Sequence, residues 1–156
     1  MTTHEPSLQV HYAPTSTCFG CGPANERGLH VESRVQGDEL VADWTPAREH
    51  EAFAGTLNGG VIGTLLDCHS NWAAAIHLMR ARGANRPPGC VTANYAVRFL
   101  RPTPSDSPVH LRARVVEAVG DRATVEAELS SGSVATATCR GTFIAVGPNH
   151  PAFERW

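Results

Sequence analysis

No block of positive charge occurs anywhere in this chain. Its 13 basic and 15 acidic residues leave a net charge of −2, which argues against a general nucleic-acid or membrane-surface binder. A long uninterrupted apolar run is missing too. The longest candidate, Val61 to Met79, carries Asp67, His69, Asn71 and His77, so no span of a bilayer is expected. The opening MTTHEPSLQV lacks a basic stretch followed by an apolar core, so no signal peptide is expected. Cysteine is sparse, scattered and odd in number: Cys18, Cys21, Cys68, Cys90 and Cys139. Without an export signal, free thiols in a cytoplasmic protein are the simplest expectation. With 156 residues, 42% apolar and 18% charged, the chain suits one domain with one sizeable core.

Residues 1–28, rich in Pro, Gly, Thr and Ser, read as an irregular N-terminal segment; 29–147 read as a single domain and 148–156 as a short tail. Leu29–Val35 and Glu39–Thr45 are predicted strands around a turn at Gln36-Gly37-Asp38. From Gly59 to about Met79, Val61, Leu65, Cys68, Trp72, Ile76 and Met79 recur at helical spacing. Ile62, Leu66 and Ala73 to Ala75 widen the apolar surface almost all round, which marks a buried helix. Arg80 to Gly89 is a predicted loop. In CVTANYAVRFL strict alternation places Val91, Ala93, Tyr95, Val97 and Phe99 on one face. Val109–Val119, a strand around Ala123–Leu129, and Val134–Val146 follow with short turns. The order predicts an α+β fold, an antiparallel sheet curled around one central helix, rather than βαβ alternation.

The stretch GTLNGGVIGTLLD concentrates the chemistry. The first N–H groups of a helix lack internal partners and carry partial positive charge. Gly59 and Gly60 would expose those donors to a carbonyl oxygen or an anion, because no side chain intervenes. Asn58 occupies the cap position. Thr64, Asp67 and Asn71, three and four residues apart, make a polar stripe on an apolar helix. A buried carboxylate needs a partner, a proton or a function. For Asp67 a structural bond to Thr64, Asn71 or the backbone competes with a catalytic role. Gly60 and Asp67 lie about 10.5 Å apart along the helix axis. One reacting carbonyl cannot touch both on the same helix, so joint action requires two subunits with antiparallel helices.

GTLNGGVIGTLLD, followed by TANYAVRFLRPTP and preceded by CFGCGPANERGL, resembles the PaaI-like hotdog-fold thioesterases, roughly from Cys18 to Val146. The resemblance implies a hotdog fold, subunits paired through their sheets, and hydrolysis of acyl-CoA, with coenzyme A as part of the substrate and no separate cofactor. It implies a homodimer or homotetramer. It implies that Asp67 activates water or attacks the thioester, and that Gly59 and Gly60 polarise its carbonyl. It further implies that Thr92 helps hold the water, and that Asn71 bonds the carboxylate or the substrate. Two positions depart from the family pattern: Asn58 stands where most relatives have His, and Ala52 where several have Asn or Gln. Asparagine cannot carry a proton at neutral pH.

Among Arg80, Arg82, Arg86, Arg98 and Arg101, the last is the preferred candidate for coenzyme A phosphates, since a guanidinium donates two parallel bonds. Cys18-x-x-Cys21 reads as a structural turn, because a zinc site needs four ligands and would have to recruit His30 or His50. No metal is expected. Cys68 and Cys90 read as small core residues, His69 and His77 as packed or interfacial; His4, His11 and His150 carry no signal. A non-catalytic acyl-CoA-binding module is the main rival function. A hydratase ranks last, because EHEAFAGTLN lacks an Asp-x-x-x-x-His run.

Overall fold

The alternating apolar segments assemble into one antiparallel sheet in the computed structural model, which describes residues 5–154. His4, with the rest of the first four residues, and the last two residues of the tail lie outside the described residues. The elements run α1 (Leu8–Tyr12), β1 (Arg34–Gln36), β2 (Glu39–Trp44), β3 (Glu51–Phe53), β4 (Thr56–Leu57), α2 (Gly59–Ala81), β5 (Cys90–Phe99), β6 (Val109–Val119), β7 (Arg122–Ser131) and β8 (Val134–Ala145). Six strands form one sheet in the order β1-β2-β6-β7-β8-β5, and β3 pairs with β4 in a separate small hairpin.

Two-residue turns set this topology. Gly37 at φ 62° and Gly120 at φ 59° adopt the left-handed conformation that closes β1–β2 and β6–β7, a region costly for residues with a Cβ. The sheet wraps α2, which contacts β2, β5, β6, β7 and β8. Leu65, Leu66, Leu111, Leu129, Val125 and Phe143 are fully buried between them. Burial of each such side chain contributes about 1.5–3 kcal/mol. Ala73, Ala74 and Ala75, also buried, bring the helix backbone close to the sheet.

Several boundaries differ from the sequence reading. The first strand shrinks to Arg34–Gln36, because Leu29 and Val31 bond elsewhere. Their N–H groups donate to Phe19 O (2.8 Å) and Gly20 O (3.0 Å) of the N-terminal segment, not to a sheet neighbour. That segment is not wholly irregular. It contains α1, capped by Ser7, and it packs Ala13 into the core, where Leu29 and Val31 join it. The helix also runs on to Ala81, past Met79.

The largest difference lies in β5. Thr92 pairs with Phe143 and Tyr95 with Gly141, with a register shift between Thr92 and Asn94. Phe143 is fully buried against the helix. The face toward α2 therefore reads Cys90, Thr92, then Tyr95, Val97, Phe99. The extra residue of a β-bulge reverses the side-chain phase, so strict alternation from Val91 through Phe99 does not hold.

Candidate active site

The helix start is built as the sequence suggested. Asn58 has an extended backbone (ψ 134°), and its Oδ1 accepts the Val61 N–H at 3.1 Å. The first intrahelical bond is Ile62 N–H to Asn58 O, 3.1 Å. This leaves the Gly59 and Gly60 N–H groups without a partner among the described residues. A Cβ on Gly60 would come within 3.0 Å of Asn58 Oδ1, so glycine there keeps the cap intact.

Two turns on, Asp67 is half-buried. Thr92 Oγ donates to Asp67 Oδ1 at 2.7 Å. Burial pushes the Asp67 carboxyl above the usual carboxylate range, and the Thr92 hydroxyl, by favouring the charged form, opposes that rise. The bulge in β5 makes this bond possible, because it puts Thr92 on the helix side while leaving Tyr95 there as well. Tyr95 covers Gly63: a Cβ on that glycine would lie 3.5 Å from the Tyr95 hydroxyl. Burial and the Asp67 charge both push the Tyr95 phenol up. Phe99 similarly covers Gly59, 3.4 Å from where a Cβ would stand. Tyr95 and Phe99, both substantially exposed in the single chain, were not singled out from sequence. Their facing small residues at Gly59 and Gly63 were the available signal.

Other expected site residues are occupied differently. Thr64 Oγ bonds back to Gly60 O at 3.0 Å, and Asn71 Nδ2 donates to Cys90 O at 3.0 Å. Neither meets Asp67; the stripe they form with it is real, but the carboxylate's partner comes from the sheet. Arg82 bonds Asp121 and Arg86 bonds Tyr12 O, whereas Arg101 is exposed just beyond β5. Ala52 lies in β3 and brings no polar group toward the helix start.

His69 is fully buried. Its Nδ1 faces Ser33 Oγ at 2.8 Å and its Nε2 faces Leu40 O at 3.0 Å, while Ser33 also accepts from Gln9. A neutral ring that donates from Nε2 and accepts at Nδ1 satisfies every partner. Burial holds its pKa down to about 4. It ties the N-terminal segment to α2 and β2 and lies away from Asp67.

Beside Asp67, three thiols converge. Cys18, Cys21 and Cys68 place their sulfur atoms all within 4.8 Å of one another. His30 and His50, the ligands a zinc site was expected to need, are elsewhere: His30 Nε2 contacts Asn25 O, and His50 Nδ1 accepts from Ala47 N. The missing third sulfur is Cys68, which had read as an ordinary core residue. Hydrogen bonds from the Cys21 and Cys68 thiols hold the Cys18 thiol far below its usual range. Cys21 and Cys68 are pushed up because they donate to it. A cavity of about 240 Å³ joins the three cysteines to Asp67, Asn71 and Trp72.

A long buried helix gripped by a six-stranded antiparallel sheet is the arrangement of the hotdog class of proteins. The sequence model of the thioesterase superfamily matches residues 54–138, and the chain belongs to that superfamily. No match is found among curated proteins. A thioesterase superfamily protein from Shewanella loihica PV-4 is 26% identical, with 80% of this chain and 98% of that one covered and a TM-score of 0.66. Two others share the fold at lower identity. Thioesterase HI1161 from Haemophilus influenzae is 18% identical (79% and 82% covered, TM-score 0.67). The PaaI protein from the phenylacetic acid degradation operon of E. coli is 16% identical (76% and 81% covered, TM-score 0.64). Among the described residues no helix is long and apolar enough to cross a membrane.

Proposed function

We propose that this protein is an acyl-CoA thioesterase whose site lies between two subunits. The observation that carries the reading is the bond from Thr92 on β5 to Asp67 on α2, a helix whose Gly59–Gly60 terminus keeps two N–H donors free among the described residues. Water held beside Asp67 attacks the thioester carbonyl carbon and gives its proton to the carboxylate. The Gly59 and Gly60 N–H groups of the partner subunit hold the developing oxyanion, a contribution of about 3–4 kcal/mol for such a donor. The C–S bond then breaks, the coenzyme A thiolate leaves, and it takes up a proton. Arg101, outside the cleft at the end of β5, suits the phosphates of the coenzyme.

The pairing of subunits follows from the strand edges. β5 is a ten-residue edge strand, and Asn94, Tyr95, Ala96 and Phe99 are exposed on it. Long uncovered edges pair with another chain unless something blunts them. Joining two β5 edges supplies the second helix that the separation of Gly60 and Asp67 demands.

Asp67→Asn tests the reading. It keeps the oxygen that accepts from Thr92 but cannot take a proton, so hydrolysis across short-chain, aryl and long-chain acyl-CoAs should fall by about 10²–10⁴-fold with an unchanged melting temperature. Equal rates in the variant end the proposal. Label from heavy-oxygen water appearing in the Asp67 side chain over several turnovers would instead identify attack by Asp67 itself.

The rival reading, an acyl-CoA-binding module without turnover, draws on Asn58, whose Oδ1 is already committed to capping the helix. Tight binding of the same panel with no thiol released selects it.

A further inference from the structure

We propose that Cys18, Cys21 and Cys68 form a three-thiolate site for a borderline-soft divalent cation, zinc foremost. Thiolates set tetrahedrally at about 2.3 Å around zinc place neighbouring sulfurs about 3.8 Å apart. Cys18 Sγ and Cys68 Sγ stand 3.8 Å apart, and Cys21 Sγ lies within 4.8 Å of both. All five cysteines are free thiols. Thiolate donors select zinc and its soft neighbours over calcium or magnesium, which take oxygen.

The backbone is shaped for this convergence. In the Cys18–Gly22 turn, Gly22 N–H closes the turn on Cys18 O at 2.8 Å. Trp72 Nε1 donates to Cys21 Sγ at 3.4 Å. Donors to ligand sulfurs from the surrounding shell orient ligands and tune metal sites. Both glycines are sterically required. A Cβ on Gly20 would lie 2.3 Å from Cys68 Sγ, and one on Gly22 would lie 2.3 Å from Cys18 N. The turn is thus pressed onto α2 at Thr64 and at Cys68, which supplies the third sulfur. Leu29 and Val31, bonded to Phe19 and Gly20, hold it there. Three protein ligands leave the fourth position to water or another small donor in the cavity shared with Asp67 and Asn71.

The test uses the full chain, stripped with a chelator and reloaded. Elemental analysis after gel filtration should give one zinc per chain. Cobalt(II) in its place should give the intense d–d bands of a tetrahedral site and thiolate-to-metal charge transfer. Cys18→Ser should lose stoichiometric zinc and most of the charge-transfer intensity, while Cys139→Ala, on β8 outside the cluster, should keep both. Gly20→Ala retains all three thiols yet should also lose the ion, since its methyl group displaces the turn. Circular dichroism checks that each variant is folded. Absence of zinc from the reloaded wild type, or a cobalt spectrum untouched by Cys18→Ser, overturns the site. So does a disulfide within the cluster that hydrogen peroxide forms as fast with zinc present as without it, which would make the cluster a thiol redox pair instead.

Discussion

Replacing Thr92 by valine removes one hydroxyl and preserves the side chain's shape. In the structure that hydroxyl is the donor to Asp67, at 2.7 Å in a half-buried setting. A hydrogen bond to a charged group contributes about 1.5–3 kcal/mol. If the bond fixes the carboxylate for attack by water, the same free energy is lost from the transition state, which is roughly a 10- to 150-fold fall in kcat/KM. Most of it should appear in kcat, because in the proposed site Thr92 acts through Asp67. The assay is release of coenzyme A thiol across an acyl-CoA panel. Thr92→Ser should recover most of the rate, since it restores the donor. The double variant separates positioning from mere packing: in an Asp67→Asn background, Thr92→Val should add no further loss, because the group it orients no longer takes a proton. Losses that multiply in the double variant, or a Thr92→Val rate equal to wild type, would refute the coupling between strand and helix.

His69 gives a pH dependence that needs no substrate. Its folded pKa lies near 4, against 6.5 for the free side chain. Between those values the unfolded chain binds a proton that the folded chain refuses, so stability falls as pH drops through this window, by about 3 kcal/mol in all. Denaturant unfolding of wild type and His69→Gln between about pH 7 and 4 should show the larger loss in wild type, and parallel curves would contradict it. The exposed β5 edge predicts that the chain sediments at twice its mass or more, and that Ala96→Glu, which sets like charges across the seam, moves it toward a single chain. A wild type that sediments as a single chain would remove the partner subunit from the site.

The helix that carries the site was legible because its information is local. The Gly-Gly start, the Asn58 cap and the apolar spacing around Asp67 all lie within two dozen consecutive residues, and each acts through backbone geometry that short range dictates. The strands were legible as elements for the same reason. Their phase was not: the bulge after Thr92 depends on how β5 registers with β8 and α2, and periodicity cannot show one inserted residue. Thr64 and Asn71 were correctly placed on the face of Asp67, yet their bonds go to Gly60 and Cys90.

By itself, then, the sequence determined a buried helix, its polar stripe, its open N-terminus and the sheet that covers it. Only tertiary structure decided that Thr92 is the partner of Asp67. Only it decided that Leu29 and Val31 secure a loop instead of extending a strand, and that Cys68 meets Cys18 and Cys21. The physical reason is separation along the chain. Contacts across 25 or 50 residues are selected by packing of the whole core, and local patterning carries no record of which distant residue fills the space opposite.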